Sequence, residues 1–184
     1  MIVFIAMIIV ASVAAGVLIN TSGSLQQQAR ATGEETISEV SSGIKVLAAK
    51  GKTTEPGDQM LPAGHIETIY LIVRPYAGTQ GINLENTIIQ YKSDYEVNHL
   101  TYEEGSLGWG REFNVHGIQD VSGTGETMLE TMGDIVKIEL KTSGGLALGP
   151  SESATITFYP NSGFKTTYGI QVPPTTESLA WYEL

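Results

Sequence analysis

The sequence contains no cysteine. This absence excludes disulfide bonds, zinc sites built on thiolates and catalysis by a thiol, so packing and assembly must supply the stability. Known catalytic motifs are also missing, because there is no GxSxG nucleophile elbow, no P-loop, no dinucleotide-binding fingerprint and no HExxH metal motif. The three histidines, His65, His99 and His116, stand at no ligand spacing from one another. We therefore predict that the chain is not an enzyme.

Charge is absent from residues 1–29, and residues 1–19 are apolar apart from Ser12 and Gly16. At about 1.5 Å per residue, such a helix spans roughly 28 Å, close to the hydrocarbon thickness of a bilayer. A helix that is apolar on all sides is stable only when it is buried, in lipid or against other helices. A secretory signal peptide has a basic n-region, which this segment lacks, so we do not expect one. A membrane anchor is the stronger rival, although the nearest basic residue, Arg30, gives the positive-inside rule little to act on.

Basic residues are scarce. The chain has 10 of them against 20 acidic residues, for a formal charge of −10. Residues 53–184 hold 17 acidic and 6 basic residues, a net charge of −11. An acidic domain repels nucleic-acid phosphates and anionic lipid headgroups, so we predict no nucleic-acid partner and no peripheral membrane binding by this part.

Apolar residues continue beyond the N-terminal run with helical spacing. Ile37, Val40, Ile44 and Leu47 are separated by three, four and three residues, which indicates a heptad-like seam. A lysine followed by a glycine near the end of such a pattern is a usual stop signal. The pattern predicts a helical first domain over residues 1–51.

A cluster of proline, glycine and threonine predicts a linker at residues 52–64, before an acidic domain at residues 65–184. In that domain, short runs rich in β-branched and aromatic residues are separated by turn residues. Val136, Ile138 and Leu140 alternate with charged residues, as expected for a strand with one buried face. The runs predicted as strands are 66–74, 86–92, 97–102, 111–116, 135–141, 154–159, 164–172 and 179–182. We predict an α+β fold, with a long hydrophobic N-terminal α-helix followed by an immunoglobulin-like antiparallel β-sandwich.

One loop has the composition of a cation site. Asp120, Ser122, Thr124 and Glu126 place side-chain oxygens at alternate positions, as in the front half of an EF-hand loop. Thr131 stands at the twelfth position, where an EF-hand has a bidentate Glu. A solvated turn is the favoured interpretation of this loop. The alternative is a Ca²⁺ or Mg²⁺ site, for which Asp94, Glu103 and Glu104 are further acidic donors.

The N-terminal segment resembles a known family. Residues 2–7 (Ile-Val-Phe-Ile-Ala-Met), residues 13–23 and residues 25–27 (Leu-Gln-Gln) closely resemble the N-terminus of the archaellins, the archaeal flagellins, and residues 41–46 also fit. The resemblance covers about the first 50 residues. It implies a subunit of the archaellum, an extracellular motility filament on the cell surface, that polymerises through its N-terminal helix and carries an immunoglobulin-like domain outside.

The resemblance also implies partners. These are further copies or closely related archaellin subunits in the polymer, the membrane before assembly, and motor and export platform proteins. A short leader similar to that of type IV pilins is cut from the precursor in this family.

Small residues four positions apart, Ala11 with Ala15 and Ser12 with Gly16, permit close approach of neighbouring helices. We expect the filament-core contacts to be made by Ile2, Phe4, Ile5, Ile8, Ile9, Ala11, Ser12, Ala15, Gly16, Leu18, Ile19, Leu25, Ile37, Val40, Ile44 and Leu47.

Two alternative functions fit the same pattern. One is a membrane-anchored β-sandwich that binds or adheres through its loops, with residues 105–110 and Trp109 as the recognition site. The other is a type-IV-pilin-like adhesion filament.

Overall fold

The computed structural model describes residues 1–53, 64–79, 81–105, 111–142, 147–176 and 181–184. The chain divides into two units, residues 1–37 and residues 38–184. One α-helix, α1, covers Ile2–Ser41.

The described part of the second unit is built from strands. These are β1 (Ile44–Thr53), β2 (Ile66–Pro75), β3 (Ile82–Asn83), β4 (Ile88–Ser93), β5 (Val97–Tyr102), β6 (Glu112–Gln119), β7 (Met128–Leu129), β8 (Ile135–Lys141), β9 (Ser153–Tyr159), β10 (Thr166–Gln171) and β11 (Trp181–Glu183). A single 3₁₀ turn, Leu84–Asn86, precedes β4.

Nine strands form one curled sheet in the order β10-β9-β4-β5-β6-β8-β2-β1-β11, and β3 pairs with β7 separately. Neighbouring strands are antiparallel except at the corner between β5 and β6, which pair in parallel over two residue pairs. The halves of the sheet share one hydrophobic core, to which Leu71 and Ile138 contribute from one half and Tyr91 and Phe158 from the other. Such sharing of a core between two sheet faces is the packing of a sandwich, and the predicted α+β fold is confirmed.

The prediction of a helix up to residue 51 is wrong in its last ten residues. Ser42 N–H still donates to the Ser38 carbonyl, but the Ser42 carbonyl accepts from Phe164 N–H and the Gly43 carbonyl from Tyr76 N–H. From Ile44 onward the backbone pairs with β2 and β11. Satisfying these backbone groups in a ladder outweighs the helical spacing of four apolar residues.

The predicted domain limits change accordingly. The first unit ends at residue 37, and Lys52 and Thr53, expected in the linker, belong to β1. Residues 54–63 of the predicted linker lie outside the described residues.

The strand predictions at 97–102 and 135–141 match β5 and β8 to the residue. Five other predicted runs, from 66–74 to 164–172, overlap β2, β4, β6, β9 and β10. Of the run 179–182, the last two residues lie in β11 and the first two lie outside the described residues. The short strands β3 and β7 were not predicted, because two-residue strands have no detectable alternation.

Candidate functional site

The helix α1 exposes apolar side chains on every side, and none of its residues is buried. Most of its large apolar residues are more than half exposed, from 57% at Ile8 to 85% at Ile2. The cause is in the sequence, where apolar residues occupy consecutive positions instead of one stripe. Exposed apolar surface of this extent marks a site of interaction with protein or lipid.

The same helix carries small residues at a spacing of four. A Cβ atom added to Gly16 would meet no other atom within 4 Å. Together with Ala11, Ser12 and Ala15, this glycine forms a shallow groove on the helix surface, into which the backbone of another helix can pack closely.

Several hydroxyl groups on α1 donate to carbonyl groups of the same helix. Ser12 Oγ donates to the Ile9 carbonyl at 2.9 Å, and Thr36 Oγ1 donates to the Thr32 carbonyl at 2.7 Å. A hydroxyl that bonds to its own helix needs no partner when the surface around it is buried. These polar residues are therefore compatible with an apolar contact.

The structure assigns the sequence-predicted contact residues to two different environments. Leu25, Ile37 and Val40 lie on α1 and are 62%, 63% and 73% exposed. The earlier apolar positions of the set also lie on α1 and are exposed. Ile44 and Leu47 lie on β1, so their place in a helical seam was predicted wrongly. Ile44 is fully buried in the core of the second unit and has no surface left for a neighbouring molecule. The positions on α1 stay predictions.

A second surface was not predicted from the sequence. The outward side of β1, β2 and β8 carries six of the ten basic residues of the chain, and we call this surface the basic face: Lys45, Lys50, Lys52, Arg74, Lys137 and Lys141. The strand register brings them together, because Lys45 pairs with Arg74, and Thr68 lies between Lys52 and Lys141. The signal in the sequence is the even spacing of the lysines at 50 and 52 and at 137 and 141, but the helical spacing of Ile44 and Leu47 hides the strand character of β1.

Two aromatic rings lie among these lysines. The rings of Tyr70 and Trp181 are 5.1 Å apart, and Lys137 Nζ lies 5.2 Å from the Tyr70 ring centroid. The Tyr70 hydroxyl donates to Glu139 Oε1 at 3.3 Å, and His116 Nε2 lies 3.2 Å from Glu139 Oε2. Burial, followed by the charge of Glu139, raises the pKa of Tyr70 to about 12. Glu139 is thus already engaged by two side chains.

In the predicted cation loop, the carboxylate of Asp120 accepts hydrogen bonds from backbone N–H groups of the same loop. Asp120 Oδ1 accepts from Gly123 N–H at 2.7 Å, and Oδ2 accepts from Gly125 N–H at 3.1 Å. Ser122 Oγ donates to Asp120 Oδ1 at 3.1 Å and lies 2.8 Å from Thr124 Oγ1. The two backbone hydrogen bonds and the serine hydroxyl lower the pKa of Asp120. This is the bonding of a capped turn.

Asp134, which no sequence motif marks, organises the same region. It is 1% exposed. Its Oδ1 accepts from Val121 N–H, Ser122 N–H and Thr131 Oγ1, and its Oδ2 accepts from Ser122 Oγ, Glu130 N–H and Thr131 N–H, all within 3.1 Å. Burial alone would raise the pKa of Asp134, but the four backbone N–H bonds lower it well below the usual range.

The fourth predicted ligand, Glu126, lies beside Gly117, where an added Cβ would be 2.9 Å from the glutamate Cγ. In the part of the chain that the structure describes, no group of three or more His, Cys, Asp or Glu side chains is placed to hold a metal ion. The Ca²⁺ or Mg²⁺ site at Asp120–Glu126 stays a prediction, and the hydrogen bonds of Asp120 do not favour it. The predicted recognition loop, including Trp109, lies outside the described residues apart from Gly105.

Comparison with known proteins gives a consistent picture. A family model described as archaeal-type flagellin matches residues 1–170. Flagellin B3 of Halobacterium salinarum is 36% identical over 175 residues, which cover 94% of this chain and 85% of that protein. Flagellin A of Methanococcus voltae is 34% identical over 197 residues, which cover 94% of this chain and 86% of that protein.

Two solved structures share the fold. The archaeal flagellum of Methanospirillum hungatei matches with a TM-score of 0.72 at 15% identity, over 96% of this chain and 93% of that chain. The crystal structure of an archaeal flagellin from Methanocaldococcus jannaschii matches with a TM-score of 0.63 at 18% identity, over 77% of this chain and 96% of that chain.

Proposed function

Because this chain belongs to the archaeal-type flagellin family, we propose that the exposed apolar surface of α1 is the surface through which its copies polymerise. The chain is a structural subunit of the archaellum, the extracellular motility filament of the cell surface. The alternative of a membrane-anchored adhesion module is not favoured.

The observation that carries the proposal is the exposure of large apolar side chains around α1. Phe4 is 71% exposed and Ile8 57% exposed. Burial of one such side chain stabilises an assembly by about 1.5–3 kcal/mol, so a helix with many of them gains strongly from surrounding itself with identical helices. Each helix then contacts its neighbours through different sides, and a contact between dissimilar surfaces that does not close on itself produces a filament.

Before assembly, the same helix would reside in the membrane. The helix Ile2–Ser41 is long and apolar enough to cross a bilayer, with a mean hydropathy of 3.0 over 18 residues. Transfer from lipid to filament exchanges one apolar environment for another, so only packing differences favour the polymer. An external motor and an export platform, as in the family, would supply the energy for transfer and for rotation.

The test replaces Phe4 and Ile8 by aspartate, F4D and I8D, in the full chain. We expect no filaments by electron microscopy and no sedimenting polymer, because a carboxylate in an apolar contact loses its hydration without gaining a partner. Tyr95→Asp is the matched control, since Tyr95 is 77% exposed but lies in the second unit. Filaments of normal number and length from the F4D/I8D chain would refute the proposal.

A further inference from the structure

The basic face is positive although the chain carries a formal charge of −10. Its six cations share the surface with three glutamates, Glu67, Glu139 and Glu183, and Glu139 already contacts Tyr70 and His116. Among the described residues, no carboxylate oxygen lies within 4.0 Å of a lysine or arginine nitrogen of this face. Within the described residues, the lysine and arginine side chains of this face therefore form no ion pair, and cations outnumber glutamates six to three.

Negative charge is concentrated elsewhere on the same unit. We call Glu85, Glu103, Glu104 and Glu126 the acidic cluster, and all four are exposed. Leu84 N–H donates to the Thr127 carbonyl at 2.8 Å, which brings the segments of Glu85 and Glu126 together. The four carboxylates also surround Tyr102, whose pKa is raised first by burial and then by their charges.

Subunits that all carry this net charge repel one another, and unlike charges that meet across a contact offset part of that repulsion. Complementary charged surfaces also fix the register between neighbours. A contact between two dissimilar surfaces of one subunit, repeated from copy to copy, is the kind that extends a polymer.

We propose that in the filament the basic face of one subunit docks on the acidic cluster of a neighbouring copy. The inference rests on the proposed polymerisation through α1, and it adds a second contact between the β-units. This contact sets register and makes the stability of the filament depend on salt.

The test reverses two exposed charges on β1, in the variant Lys45→Glu/Lys50→Glu. Filaments should still form through α1 but dissociate at a temperature at least about 5 °C below that of the parent in 0.1 M NaCl. In 1 M NaCl the deficit should fall to about 1 °C, because the Debye length shrinks from about 10 Å to about 3 Å. The matched control, Lys92→Glu/Lys165→Glu, makes the same charge change at exposed positions off the basic face and should show less than half the deficit.

A mixing experiment identifies the partner surface. The variant Glu103→Lys/Glu104→Lys should be weakened in the same salt-dependent way. When the two variants are mixed before assembly, reversed faces meet reversed clusters, so filaments should recover most of the parental dissociation temperature.

Several results would overturn the proposal. They are a deficit that is equal in 0.1 M and 1 M NaCl, an equal deficit in the control variant, or no recovery on mixing. A different result would make the basic face a site for anionic polysaccharide. Parent filaments would retain alginate, and the Lys45→Glu/Lys50→Glu variant would lose that retention with no change in dissociation temperature. The proposal that copies polymerise through α1 has a separate test. It would be refuted by filaments formed from the F4D/I8D chain, a result that does not involve the basic face.

Discussion

Replacing Asp134 by asparagine should destabilise the second unit strongly at neutral pH. The carboxylate is almost fully buried and accepts six hydrogen bonds. Asparagine keeps one oxygen and presents an NH₂ group to the donors on the other side, so the N–H groups of Glu130 and Thr131 lose their acceptor. A hydrogen bond to a charged group contributes about 1.5–3 kcal/mol, so the loss of two should lower the free energy of unfolding by about 3–6 kcal/mol.

The assay is urea unfolding of the full-length chain in detergent, followed by tryptophan fluorescence. Both tryptophans, at positions 109 and 181, belong to the second unit, so the signal does not report on α1. Asp120→Asn is the control, since Asp120 is exposed and water replaces its lost bonds. The control should shift the unfolding midpoint much less.

The effect should depend on pH in a defined direction. The pKa of Asp134 in the folded state lies below its unfolded value of about 3.9, so its stabilisation is present above that value and is lost as pH falls through the folded pKa. The difference between parent and D134N should therefore shrink as the pH is lowered from 5 towards 2. An unchanged midpoint in D134N at pH 7, or a difference that is as large at pH 2 as at pH 7, would refute the reasoning.

Two further substitutions separate the roles of the two units. Gly16→Leu should lower the dissociation temperature of filaments, although leucine is the better helix former by about 1 kcal/mol and a Cβ at this position has no atom of another segment within 4 Å. Filaments as stable as the parent would show that no neighbour approaches Gly16 closely. Ile44→Ala should reduce the free energy of unfolding of the second unit by about 2–5 kcal/mol in the fluorescence assay, because Ile44 is fully buried in its core. An unchanged unfolding midpoint would contradict that placement.

The sequence predicted most of the fold for physical reasons that can be traced to particular residues. Strands such as β8 were found because Val136, Ile138 and Leu140 alternate with charged residues, and this alternation needs no knowledge of the partners. The strand β1 was mistaken for helix because Ile44 and Leu47 continue a helical spacing, and its pairing with β2 and β11 is a long-range property.

The site divides in the same way. The apolar surface of α1 is local in sequence and was predicted as a contact surface. The basic face depends on a register that places Lys52 beside Thr68 and Thr68 beside Lys141, residues far apart in the chain. Asp134 escaped notice because its six donors come from two segments, around Val121 and Thr131, that only the folded loop brings together.

In the described part of the chain, all buried hydrophobic residues lie between Ile44 and Val172. The second unit thus completes its interior with its own side chains. If copies polymerise through α1 as proposed, selection can adjust the interior of the second unit to a new temperature without changing the contacts of the helix. Conversely, a substitution on the contact surface of α1 alters the contacts with every neighbouring copy at once, so the sequence of this helix is constrained by the geometry of the polymer.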